Sequence, residues 1–208
     1  MGSAVRIVDY GAGNLASVKR AVWRAGGEAE IAATPDALAD ADRIILPGVG
    51  AAGTAATRLR EQGWSDALDE HVRRRGKPML GVCLGLQLLA ERLHEFGEHQ
   101  GLGWIPGDVE AMPASADVRV PHMGWNEVTV APDVRALFGT SSVSPIYYFC
   151  HSFRLVGAPD DVVVARTDHG GDIIAAVRTE TVFATQFHPE KSQVEGERLL
   201  AAFLAWKP

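Results

Sequence analysis

The segment Gly81-Val82-Cys83-Leu84-Gly85 holds the pattern from which the architecture of this chain follows. An apolar stretch over 79–82 precedes the cysteine, and a run of helix formers with helical spacing follows it over 84–93. The spacing predicts a strand, a sharp turn at the cysteine and a helix. The serine form of this arrangement is the nucleophile elbow, G-x-S-x-G, whose glycines permit a strained turn. Because a helix N-terminus favours a thiolate, the segment predicts a nucleophilic cysteine.

The composition is typical of a soluble globular protein. The 208 residues suffice for one domain with a sizeable core, and the net charge of −6 argues against nucleic-acid binding. The densest basic run, Arg73-Arg74-Arg75, suits the end of a predicted helix. No apolar stretch approaches membrane-spanning length, the N-terminus lacks the apolar region of a signal peptide, and the two cysteines form no disulfide framework. We therefore expect a cytoplasmic protein without nucleic-acid or membrane partners.

The first half of the chain alternates between strand and helix patterns. Strands are predicted at 5–10, 28–32, 43–46 and 79–82, with helices between them that end at glycine-containing turns. This alternation predicts a largely parallel sheet with helices on both faces. Open parallel sheets bind ligands at the carboxyl ends of their strands, and the glycine turns at 11–13, 47–50 and 81–85 all fall there.

The second half consists mainly of strand patterns. The predicted strands are 109–112, 126–130, 146–153, 162–167, 173–177 and 182–186, and a final helix is predicted over 192–206. Short polar or glycine-bearing turns separate the strands, which favours antiparallel additions to the sheet. The fold class expected is therefore α/β, with one domain over 1–208. Its open mixed sheet has a parallel core with added antiparallel strands, and helices cover both faces.

A cysteine nucleophile needs a base, and the base needs an orienting group. His188 and Glu190 follow a predicted strand, and Pro189 between them stiffens the local path. We therefore expect a hydrogen bond between the two side chains. The alternative is that both are surface residues at the end of a strand. The cysteine elbow in the same chain favours a triad of Cys83, His188 and Glu190.

An acyl intermediate also needs hydrogen-bond donors for its oxyanion. The backbone N–H of Leu84 opens the helix after the nucleophile, which is one suitable position. The second donor is expected from the turn at Gly48, Val49 and Gly50. The alternative is that these residues form an ordinary strand-to-loop turn, which would have the same sequence pattern.

The remaining histidines and the second cysteine carry weaker signals. We predict that four histidines are solvated on the surface: His71, His94, His99 and His169. His122 and His151 lack metal-ligand spacing, so no metal site and no cofactor are expected. Cys150, beside His151 in a predicted strand, is interpreted as a buried inert thiol.

Together these residues resemble the triad (class I) glutamine amidotransferases. Gly81 to Gly85 with Gln87, and His188-Pro189-Glu190, carry the resemblance. Members of that family hydrolyse glutamine to glutamate through a cysteinyl acyl intermediate and pass the ammonia to a synthase partner. Further motifs indicate, within the family, a glutaminase that forms a heterodimer with a (β/α)8-barrel cyclase subunit. These motifs lie at 9–15, 47–50, 121–126, 148–152 and 188–193, and the resemblance runs from residue 5 to about 204.

The resemblance implies a role for each matching position. Cys83 is the nucleophile, His188 the base and Glu190 its orienter, while Gly48, Val49 and Gly50 form an oxyanion strand. The resemblance also implies that this strand reorients a backbone amide when the partner's ligand binds. The positions that would hold the glutamine substrate are Leu84, Gln87, Glu95 and Ser152. The positions that would lie toward the partner and the ammonia passage are Trp125, Tyr148 and Lys191.

The chain departs from the family pattern at three places. Ala51-Ala52 follows Gly50 where an aromatic residue is often found, Phe153 replaces a frequent tyrosine, and Cys150 replaces an aliphatic residue. The first two leave the packing of the substrate open. Two other functions also stay open: a glutaminase that serves pyridoxal phosphate, anthranilate or aminodeoxychorismate synthesis, and a non-catalytic binding module. The stretches at 9–14 and 121–126 argue against the former, and an intact triad argues against the latter.

Overall fold

The computed structural model describes residues 4–116 and 118–208, with helices on both faces of a central sheet. The strands are β1 (Ala4–Val8), β2 (Glu28–Ala32), β3 (Arg43–Gly48), β4 (Met79–Cys83), β5 (Ala90–Leu93), β6 (His99–Gln100), β7 (Ile105–Ala111), β8 (His122–Glu127), β9 (Thr129–Val130), β10 (Ile146–His151), β11 (Phe153–Val156), β12 (Val163–Asp168), β13 (Asp172–Arg178) and β14 (Val182–Thr185). The helices are α1 (Leu15–Arg24), α2 (Ala52–Glu61), α3 (Trp64–Leu68), α4 (Leu84–Gln87), α5 (Arg135–Phe138) and α6 (Gln193–Ala205). Within these described ranges, none of the helices is long and apolar enough to span a bilayer.

In the described part of the chain, the central sheet has eight strands in the order β2-β1-β3-β4-β14-β13-β12-β9. The first five strands of this order run parallel, and the last three add antiparallel pairing. The predicted parallel core with antiparallel additions is confirmed. It follows from the βα alternation of the first half, since each crossover helix returns the chain to the same end of the sheet.

Several strands of the second half do not join the central sheet. β8 pairs with β10 in a two-stranded sheet, while β11, β7, β5 and β6 form a four-stranded sheet. The expectation that the strands predicted at 109–112 and 146–153 extend one mixed sheet was wrong. The strand predicted at 126–130 is divided, since its first residues belong to β8 whereas Thr129–Val130 form β9 at the edge of the central sheet. The alternation of side chains identifies a strand but does not say which strand it pairs with.

The predicted helix over 84–93 was also wrong in its second half. α4 ends at Gln87, and Ala90–Leu93 form β5, which pairs with β6 and β7. Leu86, Leu88 and Leu89 are fully buried, so this apolar run has no polar face from which a helical period is recognised. Pairing with distant strands therefore decides its conformation.

Two layers of side chains cover the central sheet, one on each face. On β3, Ile45 belongs to one apolar cluster, whereas Ile44 and Leu46 belong to the other, as the two-residue period of a strand requires. α1 and α6 contribute to the first cluster, and α2 and α3 contribute to the second. The sheet is thus buried on both faces, and its carboxyl edge is where functional side chains reach a cavity.

The elbow at the end of β4 places its strain on the cysteine itself. Cys83 has a φ of 54°, a left-handed conformation that is costly for a residue with a Cβ. The flanking glycines serve close packing instead. A Cβ on Gly85 would overlap the carbonyl oxygen of Leu46, and one on Gly81 would lie 2.9 Å from the Cβ of Ala184. The glycines let β4 and α4 approach the neighbouring strands, and this contact holds the strained turn.

We expect Gly85→Ala to lower the free energy of unfolding by about 3 kcal/mol, because the new methyl group meets backbone rather than a movable side chain. The matched control is Gly103→Ala. Gly103 has open space around it and a φ of 66°, so only a backbone cost of about 1 kcal/mol is expected. Urea unfolding of both variants measures the difference. Equal losses would contradict the packing role of Gly85.

Candidate active site

The structure brings the three predicted triad residues together at the carboxyl edge of the central sheet. Cys83 ends β4, and His188 lies three residues beyond β14, which runs parallel to β4. Glu190 lies in the short 3-10 turn that starts at Pro189. Because β4 and β14 are adjacent and parallel, residues that follow their carboxyl ends meet at one place.

His188 is held on both sides by hydrogen bonds. Its Nδ1 donates to Oε1 of Glu190 across 2.8 Å, and both side chains are nearly inaccessible to solvent. Its backbone N–H donates to the carbonyl of Tyr148, which ties the turn to β10. The contact to Glu190 leaves Nε2 for Cys83, the other side chain to which the ring is hydrogen-bonded. The histidine is therefore oriented as a base between an acid and a thiol.

The electrostatics of His188 favour its charged form. Burial alone lowers the pKa of an imidazole, but hydrogen bonds to Cys83 and Glu190 and their negative charges outweigh it and raise the pKa of His188 to about 10. At neutral pH the ring therefore carries a proton beside the sulfur. This arrangement suits a thiolate–imidazolium pair, in which the sulfur attacks and the ring later donates its proton.

A cavity of about 630 Å³ opens in front of the cysteine. It is lined by most of the predicted site residues: Val49, Gly50, Cys83, Leu84, Gln87, Glu95, Ser152, His188 and Lys191. Four other predicted residues do not line it. Glu190 lies behind His188, to which it is hydrogen-bonded. Gly48 lies beside Cys83 in the pairing of β3 with β4. Trp125 and Tyr148 lie opposite each other on the β8–β10 sheet, with their rings 5.8 Å apart.

The turn after β3 runs directly along the cysteine. A Cβ on Gly48 would overlap the hydroxyl of Tyr10 and lie 2.8 Å from the Cβ of Leu84, so only glycine fits there. Gly50 has a φ of 97°, a conformation that favours glycine. Leu84 is the first residue of α4, and its N–H has no partner within that helix. The backbone of Gly48 on β3 and that of Leu84 on α4 therefore both lie next to Cys83.

Glu95 makes a contact that the sequence did not predict. Its Oε2 accepts a hydrogen bond of 2.6 Å from the backbone N–H of Ala52, the first residue of α2. The carboxylate therefore anchors the segment that follows Gly50 and also faces the cavity. A negative charge at this position suits an ammonium group on a bound molecule.

Gln186 is a site residue that sequence analysis missed. Its side chain is fully buried, and its Nε2 lies 3.7 Å from Sγ of Cys83. Its Oε1 accepts a hydrogen bond of 3.1 Å from Nε2 of Gln87. One feature of the sequence could have identified it: Gln186 lies two residues before His188, and alternate residues of an extended segment point to the same side.

The other histidines divide into different environments. His71 is buried, so its predicted exposure was wrong, whereas the other three predicted surface histidines are partly exposed. His122 and His151 are buried and joined by a 3.0 Å hydrogen bond. Burial, reinforced by neighbouring histidines, lowers the pKa of His122 to about 3 and that of His151 to about 4. Both rings are therefore neutral at neutral pH, unlike His188.

Cys150 also differs from its prediction. Its residue is only half-buried and lines the cavity, so the interpretation as a buried thiol was wrong. The carbonyl oxygen of Cys150 lies 4.0 Å from Sγ of Cys83. Across residues 4–116 and 118–208, no group of three or more His, Cys, Asp or Glu side chains is placed to hold a metal ion.

The fold is that of the class I glutamine amidotransferases. Residues 6–206 match the family model described as glutamine amidotransferase class-I, and the chain belongs to that family. Among its relatives, the imidazole glycerol phosphate synthase subunit HisH of Rhodopirellula baltica is 47% identical, with 96% of each chain covered. The protein of the same name from Zymomonas mobilis is 42% identical and covers 99% of this chain and 97% of its own.

Solved structures share the architecture. One described as a glutamine amidotransferase is 27% identical, with a TM-score of 0.75 and 97% of each chain covered. The structure of PurLQS from Thermotoga maritima is 22% identical, with a TM-score of 0.73 and 99% of each chain covered. The second supports the fold alone.

The raised pKa of His188 predicts how stability depends on pH. Between about pH 6.5, where an unfolded histidine loses its proton, and about pH 10, the folded protein binds the extra proton. The stabilisation is therefore full below pH 6.5 and is lost as the pH rises toward 10, with a slope of up to about 1.4 kcal/mol per pH unit. Urea unfolding across this range measures the slope.

We expect Glu190→Gln to flatten this slope, because it removes one of the two hydrogen-bonded partners that raise the pKa of His188. Glu197→Gln makes the same chemical change at a surface carboxylate paired with Arg24, and it is expected to leave the slope unchanged. A slope in Glu190→Gln equal to that of the wild type would contradict the assignment.

Proposed function

We propose that this protein is the glutaminase subunit of imidazole glycerol phosphate synthase and acts in histidine biosynthesis. The observation that carries the reaction is the set of Cys83, His188 and Glu190: Cys83 and His188 are buried at the wall of a cavity, and the carboxylate of Glu190 is hydrogen-bonded to His188 behind it. The similarity to the HisH subunits over nearly the full length supports the choice of partner. The chain acts as a single domain over residues 1–208, in the cytoplasm, without a nucleic-acid partner.

The proposed reaction hydrolyses the side-chain amide of glutamine. The thiolate of Cys83 attacks the amide carbon, and the carbonyl oxygen becomes an oxyanion that accepts hydrogen bonds from the backbone N–H groups of Val49 and Leu84. The imidazolium of His188 gives its proton to the leaving nitrogen, which departs as ammonia. A thioester remains on the sulfur. The neutral imidazole then takes a proton from water, whose oxygen attacks the thioester and releases glutamate.

The cavity offers groups for both ends of the substrate. Glu95 supplies a carboxylate for the α-ammonium group, and Gln87 and Ser152 supply polar groups nearby. Binding at Glu95 is coupled to the oxyanion strand, because the same carboxylate holds the N–H of Ala52 at the start of α2. We therefore propose that binding of the substrate depends directly on the conformation of this strand.

The β8–β10 sheet is the proposed docking face for the cyclase subunit. Met123, Trp125 and Ile146 are large apolar side chains on this sheet that are 45–60% exposed. Nζ of Lys191 lies 5.9 Å from the centre of the Tyr148 ring, and Lys191 also lines the cavity. Lys191 and Tyr148 thus connect the cavity with the docking face, which is where ammonia would leave.

The partner is proposed to be a (β/α)8-barrel cyclase, with which the chain forms a heterodimer. The cyclase uses the ammonia to convert a phosphoribulosyl-formimino nucleotide into imidazole glycerol phosphate and an aminoimidazole carboxamide ribotide. The lyase activity belongs to the complex, whereas this chain contributes the hydrolysis of glutamine. No cofactor is needed for either step of the acyl transfer on this chain.

The decisive experiment is Cys83→Ala in the complex with the cyclase. Without a sulfur nucleophile, glutamine-dependent synthesis should fall on the order of 10⁴-fold or more. Synthesis from added ammonium salt should be retained, because the cyclase site is untouched. Both rates are measured as the formation of imidazole glycerol phosphate. Retained glutamine hydrolysis would show that the nucleophile is misassigned. Loss of both activities would contradict the proposal that glutamine hydrolysis and synthesis occur on separate subunits.

The docking face predicts a second result. Trp125→Ala should weaken binding of the cyclase roughly 30-fold, or about 2 kcal/mol, because a large half-exposed aromatic would be buried at the interface. Trp23→Ala is the matched control, since Trp23 is 73% exposed on α1, outside the β8–β10 sheet. Titration calorimetry measures both affinities. A larger loss for Trp23→Ala would place the partner elsewhere.

A further inference from the structure

Gln186 is placed beside the reactive sulfur by strand pairing. β14 runs parallel to β4 in the register that aligns Thr185 with Val82. The next residues along the two strands are Gln186 and Cys83, so their side chains leave the sheet side by side. Gln186 is fully buried, and its backbone N–H is held by the carbonyl of Ala175 on β13.

The orientation of the Gln186 amide follows from its neighbours. The carbonyl of Phe153 only accepts hydrogen bonds, so the group of Gln87 that contacts it at 2.9 Å is Nε2. The second N–H of that nitrogen donates to Oε1 of Gln186 across 3.1 Å. The other end of the Gln186 amide must therefore be its NH₂ group, which faces Sγ of Cys83 at 3.7 Å.

The donor at Gln186 complements the other groups around the sulfur. The carbonyl of Cys150, 4.0 Å from Sγ, only accepts hydrogen bonds and gives no stabilisation to a negative sulfur. His188 donates from one side, but it must give up its proton when ammonia leaves. An N–H donor that keeps its proton throughout the reaction stabilises the thiolate both before attack and as a leaving group in thioester hydrolysis.

We propose that Gln186 is a catalytic residue of the glutaminase reaction, which donates a permanent hydrogen bond to Sγ of Cys83. Gln87 acts as a positioning residue that fixes this donor. Since both N–H groups of Gln87 are engaged, it offers substrate only its carbonyl oxygen and therefore recognises an N–H of glutamine. The inference rests on the proposed function for its substrate but not for its chemistry at the sulfur.

The test compares Gln186→Met and Gln186→Glu with the wild-type chain in its complex with the cyclase. Met keeps the length of the side chain without a donor, and Glu keeps its shape but places a carboxylate at the sulfur. The rate of Cys83 alkylation by iodoacetamide is measured from pH 5 to 10, with the Cys83 peptide quantified by mass spectrometry. We expect the midpoint of the profile to move to higher pH by about one unit in Gln186→Met and further in Gln186→Glu.

Glutaminase kinetics give the second measurement. The value of kcat should fall about tenfold in Gln186→Met while KM changes little, because the lost hydrogen bond acts on the sulfur rather than on the substrate. An alkylation profile superimposable on that of the wild type in both variants would overturn the proposal. If Gln186→Met does not fold, the isosteric Gln186→Glu variant decides alone.

Thr185→Val is the matched structural control. The hydroxyl of Thr185 is fully buried and donates to the carbonyl of Phe187 across 3.0 Å, in the same segment but without contact to the sulfur. Its loss should lower the thermal unfolding midpoint and leave the alkylation profile in place. A shift in Thr185→Val as large as that in Gln186→Met would overturn the proposal in favour of a structural effect.

The alkylation profile does not depend on glutamine. A shifted profile in a chain whose complex does not use glutamine would therefore refute the proposed function and support the contact between Gln186 and the sulfur. Normal glutamine use with an unshifted profile would support the proposed function and refute the contact between Gln186 and the sulfur.

Discussion

Parallel pairing of β4 with β3 on one side and β14 on the other is the constraint on which the active site depends. It aligns Gly48 with Cys83, and it aligns Thr185 with Val82 so that His188 emerges at the same edge. The carboxyl ends of parallel strands all lie at one edge of a sheet. The backbone of Gly48, the sulfur of Cys83 and the imidazole of His188 therefore meet although they are far apart along the chain.

Close packing holds this edge in a conformation that the local chain would not adopt alone. Cys83 has a positive φ, and the space around it is filled by the hydroxyl of Tyr10 against Gly48 and by the carbonyl of Leu46 against Gly85. Strain at a nucleophile persists only where the surroundings leave no alternative. The two glycines are therefore needed less for their own conformations than for the approach of neighbouring backbone.

The three buried histidines near the site show how environment separates identical side chains. Burial lowers the pKa of His122 and His151, whose principal neighbours are other histidines and uncharged groups. His188 is buried to a similar extent, yet hydrogen bonds to Glu190 and Cys83 reverse the effect and raise its pKa to about 10. Of these three histidines, only His188, which faces the sulfur, is therefore charged at neutral pH.

The amino-acid sequence by itself determined the parallel α/β core, because strand and helix patterns alternate through its first half. It also determined the cysteine elbow and the pairing of His188 with Glu190, because each of these lies within a few adjacent residues. Only the tertiary structure decided the division of the later strands among three sheets, the conversion of Ala90–Leu93 from a predicted helix into β5, and the burial of His71. It also decided the place of Gln186, because an amide carries no motif and its role follows from contacts with Gln87 and Cys83. The physical reason is common to all four: pairing and burial depend on residues distant in sequence, which local periodicity does not record.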